Sequence, residues 1–451
     1  MKRKIVMKKL AAIFVAVLMA CTLSACAGTQ DSAKNSAGTS DASTDTEDGS
    51  DSDSESTKNS ADNFEENTGT TESMEEVSQE VTLSEYTPVD FESMEESAEG
   101  DFTFTVTEDK AEITGYSGAG GQVRIPESLG GASTIYITNE AFRNNTEITC
   151  LYLPSTLTGM DNYVFSGCTS LEQVYIASPS YSHGSRLSDA MFGECTALRR
   201  VVVAEGWEYI GDYSSSTGSG PFTGCVSLTD VTLPSTITYI DDYAFYECKS
   251  LETIDLSGTS VSRIRNMAFA YCTNLKSISM PSTLYGYNFL ETNAFIGCTS
   301  LTDMDFPNGN ENLELVDGIL YDDTTLMLKL SGYDSPDVVV REGTYLISNN
   351  AFEYDTGIIS VTFPDSLYEI GRLAFNGCTS LEQVTFGLGL DSIGQSAFSN
   401  CYSLTDVDIP DSVTWIGSTC FSSSTNAVIT FKGQQYTCDQ DEELKAAAEA
   451  G

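Results

Sequence analysis

The sequence predicts a β-rich solenoid: coils of about 23 residues, each giving one short strand to a parallel sheet that runs along one face. Two observations carry this expectation. Phenylalanines at 142, 165, 192, 222, 245, 269, 295, 352, 375, 398 and 421 stand in one frame, spaced 23, 27, 30, 23, 24, 26, 57, 23, 23 and 23. Around most of them one unit recurs: Ala-Phe-x-x-Cys-x-x-Leu-x-x-Val-x-Ile, then Pro or Gly, then Ile-Gly before the next Ala-Phe. A fixed period of this length is the mark of a repeat architecture, because one unit cannot bury its apolar face without a neighbour.

Ahead of the repeats, residues 1–25 read as an export signal. Lys2, Arg3, Lys4, Lys8 and Lys9 are the positive region and Leu10 to Ala20 the apolar one. That core is shorter than the about 20 residues a spanning helix needs. It ends in Leu23-Ser24-Ala25-Cys26, which resembles the lipobox of bacterial lipoproteins. The resemblance implies that Cys26 is diacylated and begins the mature chain, so the membrane is met through an N-terminal lipid. Removing five positive and no acidic residues takes the net charge from −44 to −49.

Residues 26–100 predict a disordered acidic linker. From 27 to 100 there are 21 Asp+Glu and 24 Ser+Thr against two lysines, with only Phe64, Tyr86 and Phe91 aromatic. Too little apolar surface is available there to offset the entropy of ordering.

Within each repeat, Leu381-x-x-Val384-x-Phe386 reads as a strand with Val384 and Phe386 on one face and Gln383 and Thr385 on the other. Prolines 154, 234, 281, 307, 364 and 410 fall just after such strands, where a missing N–H ends the ladder without loss. The Ala-Phe pair lies on the returning side, its rings stacked through the coil interior.

The copies Ala374-Phe375-Asn376-Gly377-Cys378-Thr379-Ser380-Leu381 and Ala397-Phe398-Ser399-Asn400-Cys401-Tyr402-Ser403-Leu404 resemble the BspA-like leucine-rich repeat of bacterial surface proteins. The resemblance covers about residues 101–438. On this reading, 101–140 is a β-rich N-terminal cap and 141–438 the leucine-rich-repeat array. A segment at 308–350 interrupts it, with a hairpin turn at Asp322-Asp323-Thr324-Thr325. Residues 439–451 are a helix-prone tail that covers the last coil.

Eight cysteines stand three residues after a repeat phenylalanine: 168, 195, 225, 248, 272, 298, 378 and 401. Repeat symmetry points their Cβ vectors parallel, which disfavours disulfides, and no CxxC pair offers a zinc chelate. They read as small buried hydrophobes. The single histidine, His183, lies with Ser182, Ser185 and Asp189 on one loop without the separated supports of a triad. No deep cleft, cofactor or catalytic centre is expected. A pI near 4.1 excludes nucleic acid as a partner, since phosphate contacts need a basic stripe.

Outward strand positions supply the candidate ligand face. Tyr152, Tyr175, Arg200 and Val202 form an aromatic-arginine patch in the first third. Asp230, Asp255, Asp303, Asp305, Asp406 and Asp408 make the remainder acidic. The expected function is that of a monomeric, lipid-anchored cell-surface protein binding an extracellular protein or glycan; resemblance to BspA-like proteins implies adhesion. Two rivals stand beside it: an envelope spacer with no specific ligand, and a secreted hydrolase whose site the sequence does not reveal.

Overall fold

The computed structural model describes residues 87–180, 184–212, 218–285 and 289–450. His183 and the Cys26 motif lie outside them. The described chain is a β-solenoid whose coils present two lines of strands. In the front sheet, Gly121–Arg124, Ile148–Leu153, Gln173–Ile176, Arg200–Val203 and Asp230–Thr232 stack in parallel. Thr253–Asp255, Ser277–Ser279 and Asp303–Asp305 continue it, and Asp337–Val339, Ser360–Thr362 and Gln383–Thr385 follow in a later group. The coil bearing Asp337–Val339 has no Ala-Phe-x-x-Cys unit of its own, so repeat counting passes over it. A side sheet of two-residue strands runs along a second edge, pairing Arg186 with Tyr209, Tyr239 and Arg263 in turn.

Inside, the phenylalanines stack as a ladder. Phe165, Phe192, Phe222, Phe245, Phe269 and Phe295 follow one another at 5.2–5.7 Å, and Phe375 lies 4.6 Å from Phe352 and 5.1 Å from Phe398. The residue two after each ring takes a left-handed conformation, glycine at Gly167, Gly224, Gly297 and Gly377 but Glu247 or Tyr354 elsewhere. At Gly377 a Cβ would also stand 2.4 Å from the Tyr354 ring, so a side chain there would have to displace that exposed tyrosine.

The cysteine ladder has a role beyond packing. Each thiol donates to the carbonyl of the phenylalanine one coil earlier: Cys195 to Phe165, Cys225 to Phe192, Cys248 to Phe222, Cys378 to Phe352, all at 3.1–3.3 Å. In the last coil Ser424 makes the same bond to Phe398 at 2.7 Å. The described cysteines are free. Burial pushes the Cys401 thiol up to about 12, which keeps the S–H that the carbonyl needs.

Between Phe295 and Phe352, strands Leu313–Val316, Ile319–Asp322 and Thr325–Lys329 form an antiparallel meander, with Asp322 opposite Thr325 at the turn. Its last strand then starts the side sheet of the following coils by pairing with Leu346–Ile347. The core divides here: one apolar cluster runs from Phe102 to Leu330, a second from Ile319 to Ala448.

Both ends are covered. The hairpin Phe102–Thr107 and Lys110–Tyr116 lays Phe102 and Tyr116 against Phe142, the first ring of the ladder. At the other end, helix Asp441–Glu449 buries Leu444 and Ala448. Its Asp441 carboxylate accepts from the N–H groups of Thr419 and Cys420. In the preceding coil the equivalent N–H, that of Ser396, donates to the next coil's Ser418 carbonyl. The helix thus substitutes a side chain for the missing coil.

Candidate ligand-binding face

Strand alternation turns Tyr152, Tyr175, Arg200 and Val202 outward from the front sheet, and the register brings them together: Tyr152 pairs with Tyr175 and Tyr175 with Val202. The two tyrosine rings stack at 5.0 Å. Exposure, however, is not what the sequence predicts. Tyr152 is only 7% exposed and Cys150 2%. Residues 87–97, read from composition as part of a disordered linker, cross the face and seal it. Phe91 and Met94 are buried against Cys150, Tyr152 and Ala177, with Tyr175 and Val202 at the margin. The correction has a simple cause: composition sums apolar surface over 75 residues, whereas these two side chains meet a complementary patch.

The strap is held by named groups. The Gln173 side-chain amide accepts from Val89 N at 2.9 Å and donates to Thr87 O at 3.2 Å. Arg124 donates to Phe91 O and Met94 O, while its guanidinium lies 3.9 Å from the centre of the Tyr152 ring. Arg200 donates to Val89 O, stands 5.3 Å from the Phe91 ring centre, and pairs with Asp230 at 3.3 Å. Arg124 and the strap-binding use of Gln173 were not legible in the sequence.

Beyond Asp230 the face is open. Asp255, Ser279 and Asp305 form one row in register and Thr253, Ser277 and Asp303 the other, over the buried Ile254, Ile278 and Met304. Asp303 and Asp305 are exposed, as are Asp406 and Asp408, but the latter pair sits on a separate sheet with Val428–Phe431. The six aspartates therefore fall on three sheets, Asp230 on the first, Asp255, Asp303 and Asp305 on the second, and Asp406 and Asp408 on the last.

Two further features appear only in three dimensions. On the side sheet, Arg186, Tyr209, Tyr239 and Arg263 stack in order, the rings 5.1 Å apart and the guanidinium carbons 5.5 and 5.9 Å from their ring centres. Strands Gly159–Met160 and Arg186–Leu187, 27 residues apart, belong to different sheets. A shallow, open hollow of about 540 Å³ lies between them, lined by Tyr136, Asp161, Asn162, Arg186 and Asp212. Its polar groups already pair with each other, Tyr136 with Asp161 at 2.7 Å and Arg186 with Asp212 at 2.6 Å. Among the described residues, no group of three or more His, Cys, Asp or Glu side chains is placed to hold a metal ion.

Against this geometry, the model of the BspA type leucine-rich repeat region matches in six copies, over residues 122–217, 214–316 and 346–440. The chain belongs to the BspA-type leucine-rich repeat family. No curated protein matches the sequence. Among solved structures, a leucine rich cell surface protein from Faecalibacterium prausnitzii A2-165 is similar at 24% identity and TM-score 0.50, over 75% of this chain and 88% of that one. The pneumococcal vaccine antigen PcpA is similar at 18% identity and TM-score 0.51, over 73% and 80%. These likenesses establish the BspA-type fold. The residue two after each phenylalanine and the S–H to carbonyl bond give that fold its repeat signature in this chain.

Proposed function

We propose that this BspA-type chain is a lipid-anchored cell-surface protein that binds an extracellular protein or glycan through the open part of its front sheet. The observation that carries the reading is the pair of in-register, solvent-facing rows at Thr253–Ser277–Asp303 and Asp255–Ser279–Asp305. Repeat proteins present ligands with this kind of extended, repeat-built surface. In a chain of net charge −44 the rows favour a basic partner, which they steer more than they hold. Recovery of partners from host extracellular matrix or mucus on the full chain tests it. An Asp303→Asn/Asp305→Asn variant is expected to associate more slowly with the recovered partner and to lose salt dependence. Equal association by variant and parent would place the site elsewhere. Anchoring through Cys26 is tested separately: Cys26→Ala should leave the membrane fraction, and retention after a high-salt wash would refute the lipid.

A further inference from the structure

We infer that the first four strands of the front sheet are a receptor for an extended acidic peptide with a phenylalanine followed three residues later by methionine, and that residues 87–97 are its resident, exchangeable ligand. This goes beyond the reading above, which concerns the open acidic rows and stands or falls without it.

Every coil of the solenoid is tied to its neighbours by backbone ladders. The strap is not a member of any sheet. At its end a backbone bond ties it, Ser97 N donating to Arg124 O at 2.9 Å; along residues 87–94 side chains of the face reach its main chain, the Gln173 amide at Thr87 and Val89, Arg124 at Phe91 and Met94, and Arg200 at Val89. Main-chain contacts of this kind accept any extended segment, and selectivity then falls to the side chains that fill pockets. Two do so here, Phe91 at 6% exposure and Met94 at 8%. Their apolar cluster is separate from the main core, so the strap can leave without opening a coil.

Charge points the same way. Residues 87–97 carry Asp90, Glu92, Glu95 and Glu96 and no basic side chain; these four acids are exposed, and the two arginines of the face meet the strap through its carbonyls and rings, so the acids act on them at longer range than an ion pair. The sequence also holds a second copy of the ligand. Glu72-Ser73-Met74-Glu75-Glu76 repeats Glu92-Ser93-Met94-Glu95-Glu96 without a change, but Thr71 stands where Phe91 would be. The chain therefore contains its own comparison peptide, complete in acids and methionine and lacking the ring.

The occupant in trans is a partner protein presenting an acidic Phe-x-x-Met segment. It competes with a strap whose covalent attachment gives an effective concentration on the order of millimolar, so its apparent affinity is lowered until the strap yields. The test uses the full-length chain, the Phe91→Ala/Met94→Ala variant, and a fluorescent peptide of residues 87–97. The variant is expected to bind the peptide at least tenfold more tightly than the parent does. A peptide of residues 67–77 should bind the variant at least tenfold more weakly than 87–97, and adding Gln173→Ala and Tyr175→Ala should abolish binding of both. Four results would overturn the inference. Absence of peptide binding by a variant that melts like the parent would show no receptor. A collapse of the melting temperature in the variant would make the strap a fixed part of the fold. Equal affinity for the two peptides would show attraction to acidic charge alone. Dimers of the parent that dissociate on adding peptide would assign the face to the strap of a second copy, and so overturn the partner reading.

Discussion

Asp241 follows the inward Ile240, at the position that Gly211, Gly371, Gly394 and Gly417 hold in other coils. It is 1% exposed, and the Arg265 guanidinium approaches only to 3.8 Å. Burial pushes its carboxyl up to about 6; Asp242 and Asp212 add to the rise, and Arg265 and Arg186 oppose it. The folded state therefore keeps a proton that the unfolded chain releases near its ordinary value of 3.8. The stability from that proton is present below about pH 4 and is lost as pH rises through 6. Asp241→Asn should thus stabilise the protein by about 1–3 kcal/mol at pH 7.5, the advantage shrinking as pH falls to 4. Urea denaturation of parent and variant at three pH values checks this; an advantage independent of pH would remove the explanation.

At the scale of elements, the meander shows how a repeat array absorbs an interruption. Lys329 ends its last strand, fully buried, and pairs with Asp355 at 2.7 Å while donating to Tyr333 O. Asp355 stands three residues after Phe352, the place where other coils carry cysteine. Removing one partner leaves a buried charge, so Asp355→Ala should cost about 3–5 kcal/mol. The double variant Lys329→Met/Asp355→Cys, which restores the ladder's own residue, should recover that loss or exceed the parent by about 1–4 kcal/mol. Thermal denaturation of both variants decides the matter, and a double variant as weak as the single one would refute it. Phe375 tests the ladder itself. Phe375→Ala should cost about 3–5 kcal/mol and act on its neighbours. Hydrogen exchange is expected to rise in coils 346–436 and to stay unchanged in 148–305, since the two cores are distinct clusters. Uniform loss of protection would mean that the array unfolds as one body.

For the molecule as a whole, charge is the dominant quantity. With 66 acidic and 22 basic residues, self-repulsion opposes the compact state. Screening shortens to about 4 Å at 0.5 M salt, so the melting temperature should rise by roughly 2–5 °C between 20 mM and 0.5 M sodium chloride. A fall over that range would show that attractive surface pairs outweigh the repulsion. Solenoid topology explains why both ends need caps: stacked coils leave an open core at each terminus, and the chain closes them with a hairpin and with the helix that carries the Asp441 carboxylate.

What the sequence determined by itself is everything that repeats. The frame of phenylalanines, the inward Leu, Val and Ile, the outward aspartates and the buried cysteines are each legible because one local pattern is written many times, and a period survives where a single instance would not. The BspA-type solenoid follows from that pattern alone. Only the tertiary structure decided what occurs once. The strap lies 84 residues from Gln173 and 111 from Arg200, and no periodicity links such positions. Its composition is that of the linker before it, so Phe91 and Met94 carry no signal until a patch of matching shape is placed opposite them. The same holds for the thiol that reaches a carbonyl one coil back, and for Asp355 in a cysteine's place. Burial and pairing between coils are properties of the stack, not of the segment, and stacking is the one thing a single repeat cannot display.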